Sequence, residues 1–244
     1  MEPLDPALLA ALEAEFGLPP GSGDRIGALL RALAEESDPH TTVSEPRKAL
    51  DIHVRDSLVA LELAPVRAAL SIADLGAGAG FPGLPLAIAL PEARVDLVEA
   101  AGRKCAVIDR LTTAASLRNA RSLHTRAEEL ASTGARATYD LVTARAVAPL
   151  GVLLEYAAPL LRVGGSFVAW KGAPGSSELE AAAAAASQLH LEPAEVVPVT
   201  PFPTSENRHL YVYSKVADTP DRFPRRPGMA AKRPLVANKP DEPT

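Results

Sequence analysis

The chain has 244 residues, a formal net charge of −5, 47% hydrophobic but only 4% aromatic residues, and one cysteine, Cys105. That is enough for one large α/β domain with an appendage, built on a core of mostly Leu, Val, Ile and Ala. A lone cysteine excludes an internal disulfide, no apolar run is long enough to span a bilayer and no leader pattern opens the chain, so the expected location is the cytoplasm.

Residues 1–66 are expected to form a helical extension. Leu4, Leu8, Leu9, Leu12 and Phe16 recur at helical spacing until Gly17-Leu18-Pro19-Pro20-Gly21 stops them. Ile26, Leu29, Leu30 and Leu33 mark a second amphipathic helix, ended by Asp38-Pro39. A third is expected to open at Ser44-Glu45-Pro46, with Ser44 as N-cap and Pro46 in the first turn. It carries Leu50, Ile52, His53, Val54, Leu58 and Leu61. Taken by itself, His53 is a core or surface histidine on a helical face.

Residues 67–217 alternate between strand and helix patterns. The stretch Ile72-Ala73-Asp74-Leu75-Gly76-Ala77-Gly78-Ala79-Gly80-Phe81-Pro82-Gly83 reads as strand, tight turn and helix start. Its glycines permit positive φ and close approach of a ligand. Pro82 suits the first helical position, and the free N–H groups there favour a carboxylate or phosphate. A dinucleotide fingerprint starting at Gly76 would need a third glycine where Phe81 stands, and a P-loop would need Gly-Lys-Ser/Thr. The remaining form, an acid followed by alternating glycines, is that of S-adenosyl-L-methionine sites; a glycine turn that only closes the βα unit is the bland alternative. Further strands are expected at Arg94–Glu99, Arg121–Thr125, Tyr139–Arg145 and Ser166–Lys171, with helices over 102–117 and 150–161 between them. A helix over 176–189 and two strands, Glu195–Thr200 and Leu210–Ser214, close the domain, the last two able to pair antiparallel. Together these predict an α/β fold of the class I methyltransferase type: Rossmann-like, mostly parallel, with an antiparallel last strand and an N-terminal helical extension.

Glu99 lies 23 residues beyond Gly76, at the end of the next strand. Neighbouring strand ends meet at one crevice, where an acid can accept from both hydroxyls of a ribose. The alternative is a solvated strand end. Ala127-Glu128 follows the third strand, where backbone N–H groups could serve a base edge; Glu128-Glu129 equally suits the acidic first turn of a helix. Arg145, ending the fourth strand, could hold the cofactor carboxylate or RNA, or be a surface ion pair of little worth. Two basic clusters offset the acidic total: Arg103, Lys104, Arg110, Arg118, Arg121 and Arg126 in one, and Arg222, Arg225, Arg226, Lys232, Arg233 and Lys239 in the other. The second lies in residues 218–244, a Pro-rich polar stretch expected to be an extended arm that favours a phosphate backbone, or else a solubilising tail. Cys105 reads as a buried helix residue without chemistry. No His, Cys and Asp set has metal spacing, no catalytic triad announces itself, and no catalytic residue is assigned.

These residues resemble one family, the RsmG (GidB) rRNA guanine-N7 methyltransferases of the bacterial small subunit. The resemblance is carried by His53-Val54-Arg55-Asp56-Ser57-Leu58, Asp74 to Gly83, Arg103-Lys104, Arg126-Ala127-Glu128, Ala144-Arg145-Ala146-Val147-Ala148-Pro149-Leu150, Trp170-Lys171-Gly172, Arg208-His209-Leu210 and Phe223-Pro224-Arg225-Arg226-Pro227-Gly228. It implies S-adenosyl-L-methionine as cofactor. Gly76, Phe81, Glu99, Ala127, Glu128 and Arg145 fall on cofactor positions, and Gly78, Ala100 and Ala101 stand beside them. It implies as partner the 16S rRNA of the small ribosomal subunit, with a guanine of the decoding-region loop as target and the helical extension and arm helping to bind RNA; separately, a monomer is expected. His40-Thr41-Thr42 stands where the family usually has Asn-Leu-Thr, and Trp170 replaces a usual methionine. Competing readings are a methyltransferase acting on another RNA position or a small molecule, a nicotinamide oxidoreductase, which Phe81 disfavours, and a non-catalytic RNA-binding protein, which the intact loop and Glu99 disfavour.

Overall fold

The computed structural model describes residues 4–236. Seven strands form one sheet: β1 (Ser71–Leu75), β2 (Arg94–Glu99), β3 (Ala120–His124), β4 (Tyr139–Arg145), β5 (Leu161–Lys171), β6 (Leu191–Val199) and β7 (Arg208–Lys215). Their order is β3-β2-β1-β4-β5-β7-β6. The first five are parallel, whereas β7 runs antiparallel to β5, and β6 to β7. This is the expected α/β sheet with its antiparallel ending. Among the described residues no helix is long and apolar enough to cross a membrane.

Helices cover both faces. On one lie α1 (Pro6–Phe16), α2 (Ser22–Glu35), α6 (Gly83–Ala89) and α7 (Gly102–Ala114). Here Leu12, Ile26, Leu29 and Leu33 share one buried cluster with Ile72, Leu84, Leu97 and Ile108. The helical extension therefore has no core of its own and packs through α2 on α6 and α7. The other face is covered by α9 (Leu150–Ala157) and α10 (Ser176–Leu189), with Leu153, Leu154 and Ala185 packed on Phe167 and Tyr213.

The third expected helix is broken into short pieces. It is α-helical at α3 (Pro46–Ala49), π-helical over Leu50–Arg55, α-helical again at α4 (Asp56–Leu58) and 3-10 over Val59–Glu62, before α5 (Ala64–Arg67). Its N-cap is Glu45, not Ser44: the longer carboxylate reaches Arg47 N–H at 2.9 Å and Lys48 N–H at 3.1 Å, satisfying two orphan donors. The helix expected over 150–161 stops at Ala157, and Leu161 already belongs to β5. Strand β5 runs through Gly164-Gly165, and glycine is needed at 165 because a Cβ there would lie 2.9 Å from Asp140 O. Pro82 is the N-cap residue, following a cis Phe81–Pro82 bond, and α6 opens at Gly83.

The described part of the arm is docked, not extended. Phe223 is buried under α9, and a short helix, α11 (Met229–Lys232), packs against α9. Lys239 of the second basic cluster lies outside the described residues.

Candidate functional site

Parallel register aligns Leu75 with Val98, so β1 and β2 end level with each other. Gly76 and Ala77 donate their N–H groups to Val98 O at 2.8 and 3.2 Å, which turns the chain sharply after β1. Gly76, Gly78 and Gly80 all take left-handed backbone, with φ of 63°, 60° and 95°. Gly76 is also sterically required, since a Cβ there would come 2.7 Å from Val147 Cγ2. Val147 is brought over the loop by Ala146, itself left-handed at φ 57°, in the kink that ends β4. A non-glycine residue in that region costs on the order of 1 kcal/mol and tends to mark a functional turn.

The N–H groups at the start of α6 are not all free. Asp74, fully buried at the end of β1, accepts from Gly83 N–H at 2.9 Å and from the Thr143 hydroxyl at 2.9 Å. Burial pushes its carboxyl up to about 7 despite these two donors. The group that meets that helix start is thus the chain's own Asp74 side chain.

Glu99 holds the loop from the other side. It is buried rather than a solvated strand end. Its Oε2 accepts from Gly78 N–H at 3.1 Å, its Oε1 from Ala101 N–H at 2.9 Å, and Lys104 Nζ lies 3.9 Å away. A carboxylate offers about four acceptor positions, so this one keeps unused lone pairs. A cavity of about 410 Å³ opens beside it. Its floor is Leu75, Gly76 and Glu99, and Thr125, Ala127, Val147 and Tyr156 contribute to its walls. Volumes of about 300–1,000 Å³ suit small ligands, and this lining mixes small apolar side chains with the charged groups Glu99, Lys104, Arg126 and Glu128.

Of the residues singled out in the sequence, Gly76, Glu99, Ala100, Ala127 and Glu128 line this cavity. Gly78 and Ala101 border it through the N–H groups they give to Glu99. The Glu128 carboxylate is committed elsewhere: Oε1 accepts from Gly228 N–H of the arm at 2.9 Å. Glu129, not Glu128, caps the short helix α8 (Ala127–Ser132) by accepting from Arg126 N–H at 3.2 Å.

Phe81 and Arg145 do not line the cavity. They belong to a second cluster at the other end of the glycine loop. Phe81 stacks on His53 with centroids 4.6 Å apart, and the Arg145 guanidinium lies 5.9 Å from the Phe81 ring centre. Arg145 Nη1 donates to Asp56 Oδ2 at 2.8 Å and to Ile52 O at 3.2 Å. Asp56 is 1% exposed; its Oδ1 has no hydrogen-bond partner among the described residues, and Arg208 Nε stands 3.5 Å from it. Trp170 Nε1 donates to Asp56 O at 2.6 Å. His53 Nε2 lies 2.9 Å from Val43 O and 3.0 Å from the Thr41 hydroxyl. Burial, with the Arg145 charge second, pushes the imidazole down to about 4, so it is neutral at pH 7. The ion pair of Arg145 is thus largely buried, not on the surface.

Sequence reading assigned no role to Tyr156, Ala231 or Asp56. Tyr156 and Ala231 reach the cavity from α9 and α11, which no motif ties to the loop. Asp56 stood within a quoted motif, but the π-helical turn that precedes it has no sequence signal. Cys105 is buried on α7 as expected, its thiol 3.4 Å from Glu99 O. Among the described residues no three His, Cys, Asp or Glu side chains are grouped to hold a metal ion.

The family model described as rRNA small subunit methyltransferase G matches residues 30–211. A ribosomal RNA small subunit methyltransferase G from Rubrobacter xylanophilus is 43% identical over 195 residues, covering 78% of this chain and 75% of that relative. The protein of the same name from Lacticaseibacillus paracasei is 37% identical over 240 residues, covering 95% and 99%. Among solved structures, a SAM-dependent O-methyltransferase from Thermotoga maritima superposes with a TM-score of 0.53 at 16% identity, over 79% of this chain and 73% of that one. Aeropyrum pernix fibrillarin, solved with natively bound S-adenosyl-L-methionine, gives 0.50 at 20% identity over 65% and 72%. At such identities the structural likeness is one of fold.

Proposed function

The chain belongs to the rRNA small subunit methyltransferase G family, and we propose that it transfers a methyl group from S-adenosyl-L-methionine to N7 of a guanine in the decoding-region loop of 16S rRNA. In this reading it acts as a monomer, in the cytoplasm, on the small ribosomal subunit. The observation that carries the reading is Glu99: a buried carboxylate fixed by Gly78 and Ala101 N–H groups, with lone pairs to spare, on the floor of a cavity of about 410 Å³.

The residues present fit an adenosyl group. Glu99 would accept from the two ribose hydroxyls. The apolar side chains of Val98, Ala127, Ala148 and Tyr156, among the charged Lys104, Arg126 and Glu128 of the same lining, suit a purine, and first-turn amides of α8 border the same space. Gly76 and Gly78 keep the loop free of side chains on that side, while Phe81 and Arg145 are assigned to the loop's other end, where the amino-acid portion would lie.

When bound, the cofactor supplies an electrophilic methyl group. The chain's own work is then mainly positioning. Guanine N7 has an in-plane lone pair and no proton, so no side chain has to act as base. Aligning acceptor and methyl in a near-attack geometry accounts for most of the expected acceleration. Carboxylates or carbonyls near the acceptor base would favour the positive charge developing on it; Asp56 is already matched by Arg145 and Arg208.

Two measurements test this. Thermal unfolding with S-adenosyl-L-methionine, S-adenosylhomocysteine or NAD should show stabilisation by the first two; at one hundred times Kd it amounts to about 2.7 kcal/mol. Stabilisation by NAD alone would overturn the cofactor. Methylated small-subunit RNA should gain one cleavage site after borohydride and aniline, because N7 methylation makes the ring labile. Methyl uptake without cleavage would reject N7 and leave the cofactor reading standing.

A further inference from the structure

Composition and charge offer the arm as an RNA-binding strand or a solubilising tail, yet the fold anchors it at several places, one of them at the cavity. Arg136 Nη1 donates to Phe223 O at 2.7 Å and Nη2 to Thr219 O. Phe223 is 2% exposed. Arg225 forms a two-pronged pair with Glu155, itself 2% exposed, with Nε to Oε1 at 2.6 Å. Gly228, left-handed at φ 80°, then donates its N–H to Glu128 Oε1 at 2.9 Å. The next turn is α11, whose Ala230 is buried against the protein and whose Ala231 lines the cavity beside Tyr156.

Packing alone would be served by Phe223 and Arg225. The Gly228–Glu128 bond does something more local. It ties the arm to a residue of the cavity wall and sets α11 at the rim.

We propose that the arm is one wall of the adenosyl site, with Ala231 a ligand-contacting residue, Glu128 the residue that docks the arm, and Arg225 a positioning residue that holds the arm in place. This rests on the reading of the cavity as the adenosyl site. The Glu128 carboxylate then acts through Gly228 and not on the base. Small side chains are required at 230 and 231, the first by burial and the second by the ligand. Because the wall is part of the arm, ligand binding and arm docking are linked and must reinforce each other equally in both directions. Lys232 and Arg233, which follow Ala231 directly, are exposed on the same turn, so arm cations facing RNA and the wall of the site move as one piece.

The test uses the full chain and S-adenosylhomocysteine, by calorimetric titration and by limited trypsin digestion. Ala231→Trp projects bulk into the cavity from an exposed position, so it should weaken binding by about ten-fold or more without lowering the unliganded Tm. Arg225→Met should weaken binding as well, in proportion to how far the arm is released. Saturating ligand should slow cleavage after Lys232 and leave cleavage after Arg67 of α5 unchanged. Wild-type affinity in Ala231→Trp, or ligand-independent cleavage after Lys232, would overturn the proposal. Glu99→Ala distinguishes the two readings. If the wild type fails to bind, or Glu99→Ala binds as the wild type does, the cavity reading falls and this one with it. If Glu99→Ala loses binding while Ala231→Trp does not, only the wall falls.

Discussion

Replacing Asp56 by asparagine removes a charge and almost no volume. In the native chain Asp56 is 1% exposed and the Arg145 side chain 14%. Losing one partner of a buried pair costs about 3–5 kcal/mol, whereas an exposed pair is worth about 0–1 kcal/mol. Two features place this substitution below the upper end. The asparagine amide oxygen could still accept the 2.8 Å bond from Nη1, and Arg145 keeps its bond to Ile52 O. Against that, Arg208 stands 3.5 Å from Oδ1, so two cations lose one counter-charge. The expected loss is roughly 2–3 kcal/mol, or about 5–10 °C in Tm for a chain of this size. Thermal and urea unfolding of Asp56→Asn, Arg145→Met and the double variant would measure it. The double variant should lose less than the sum of the singles, with a coupling of about 1–3 kcal/mol. A loss below about 0.5 kcal/mol in Asp56→Asn, the range of ordinary surface changes, would refute the buried-pair reasoning.

The carboxyl of Asp74, held at about 7 by burial against an ordinary 3.8, binds its proton more tightly folded than unfolded. Its stabilising contribution is therefore complete below about pH 4 and is lost as pH rises through about 7. Asp74→Asn should gain stability relative to the wild type between pH 5 and pH 8; an amide can take Gly83 N–H on its oxygen and give a proton to the Thr143 hydroxyl. His53 contributes the opposite slope, stabilising above about pH 6.5 and failing as pH falls through about 4, so the quantity to follow is the difference between variant and wild type. A difference independent of pH would sink the assignment. At Gly78 the space is open: a Cβ placed there would find its nearest neighbour, Gly76 O, at 3.8 Å, so Gly78→Val suffers from its φ of 60° more than from a clash. It should cost about 1–2 kcal/mol, leave the chain folded and abolish binding of S-adenosylhomocysteine. Normal affinity in the folded variant would reduce the loop to a turn.

Parallel strands such as β2 and β4 were legible because each is a largely apolar run ending in a charged residue, and Tyr139–Arg145 and the helix Ser176–Leu189 stand where their patterns put them. The crevice was legible for the same reason, since parallel strands bring consecutive carboxyl ends together and Glu99 ends one of them. What local pattern cannot report is long-range pairing. Arg225 meets Glu155 across 70 residues and Gly228 meets Glu128 across 100, so a Pro-rich basic stretch read as extended although it is tied down. Ser44 and Glu45 can both cap a helix, and only the geometry of the entering chain decides between them. The π-helical turn over Leu50–Arg55 replaces one hydrogen-bond spacing by another while keeping similar residues, and it is this turn that leads into Asp56.

The glycine loop is gripped by two carboxylates that belong to the chain. Asp74 takes Gly83 N–H at its base, and Glu99 takes Gly78 N–H at its crest. Its shape is therefore set before any ligand arrives, which lowers the ordering cost of binding. The two ends of the loop are built by different parts of the molecule. The Gly76–Gly78 end faces Glu99, α8, α9 and the arm. The Phe81 end faces His53, Arg145 and, through Asp56, Arg208 and Trp170. Thr41 of the stretch that departs from the family pattern contacts only this second network among the two, by way of His53 Nε2. So the departure His40-Thr41-Thr42 bears on the far end of the loop and leaves the adenosyl half untouched. Trp170, the other departure, reaches the same network through Asp56 O. Both departures thus contact the network of His53, Asp56 and Arg145 at that end of the loop, and neither lines the cavity beside Glu99.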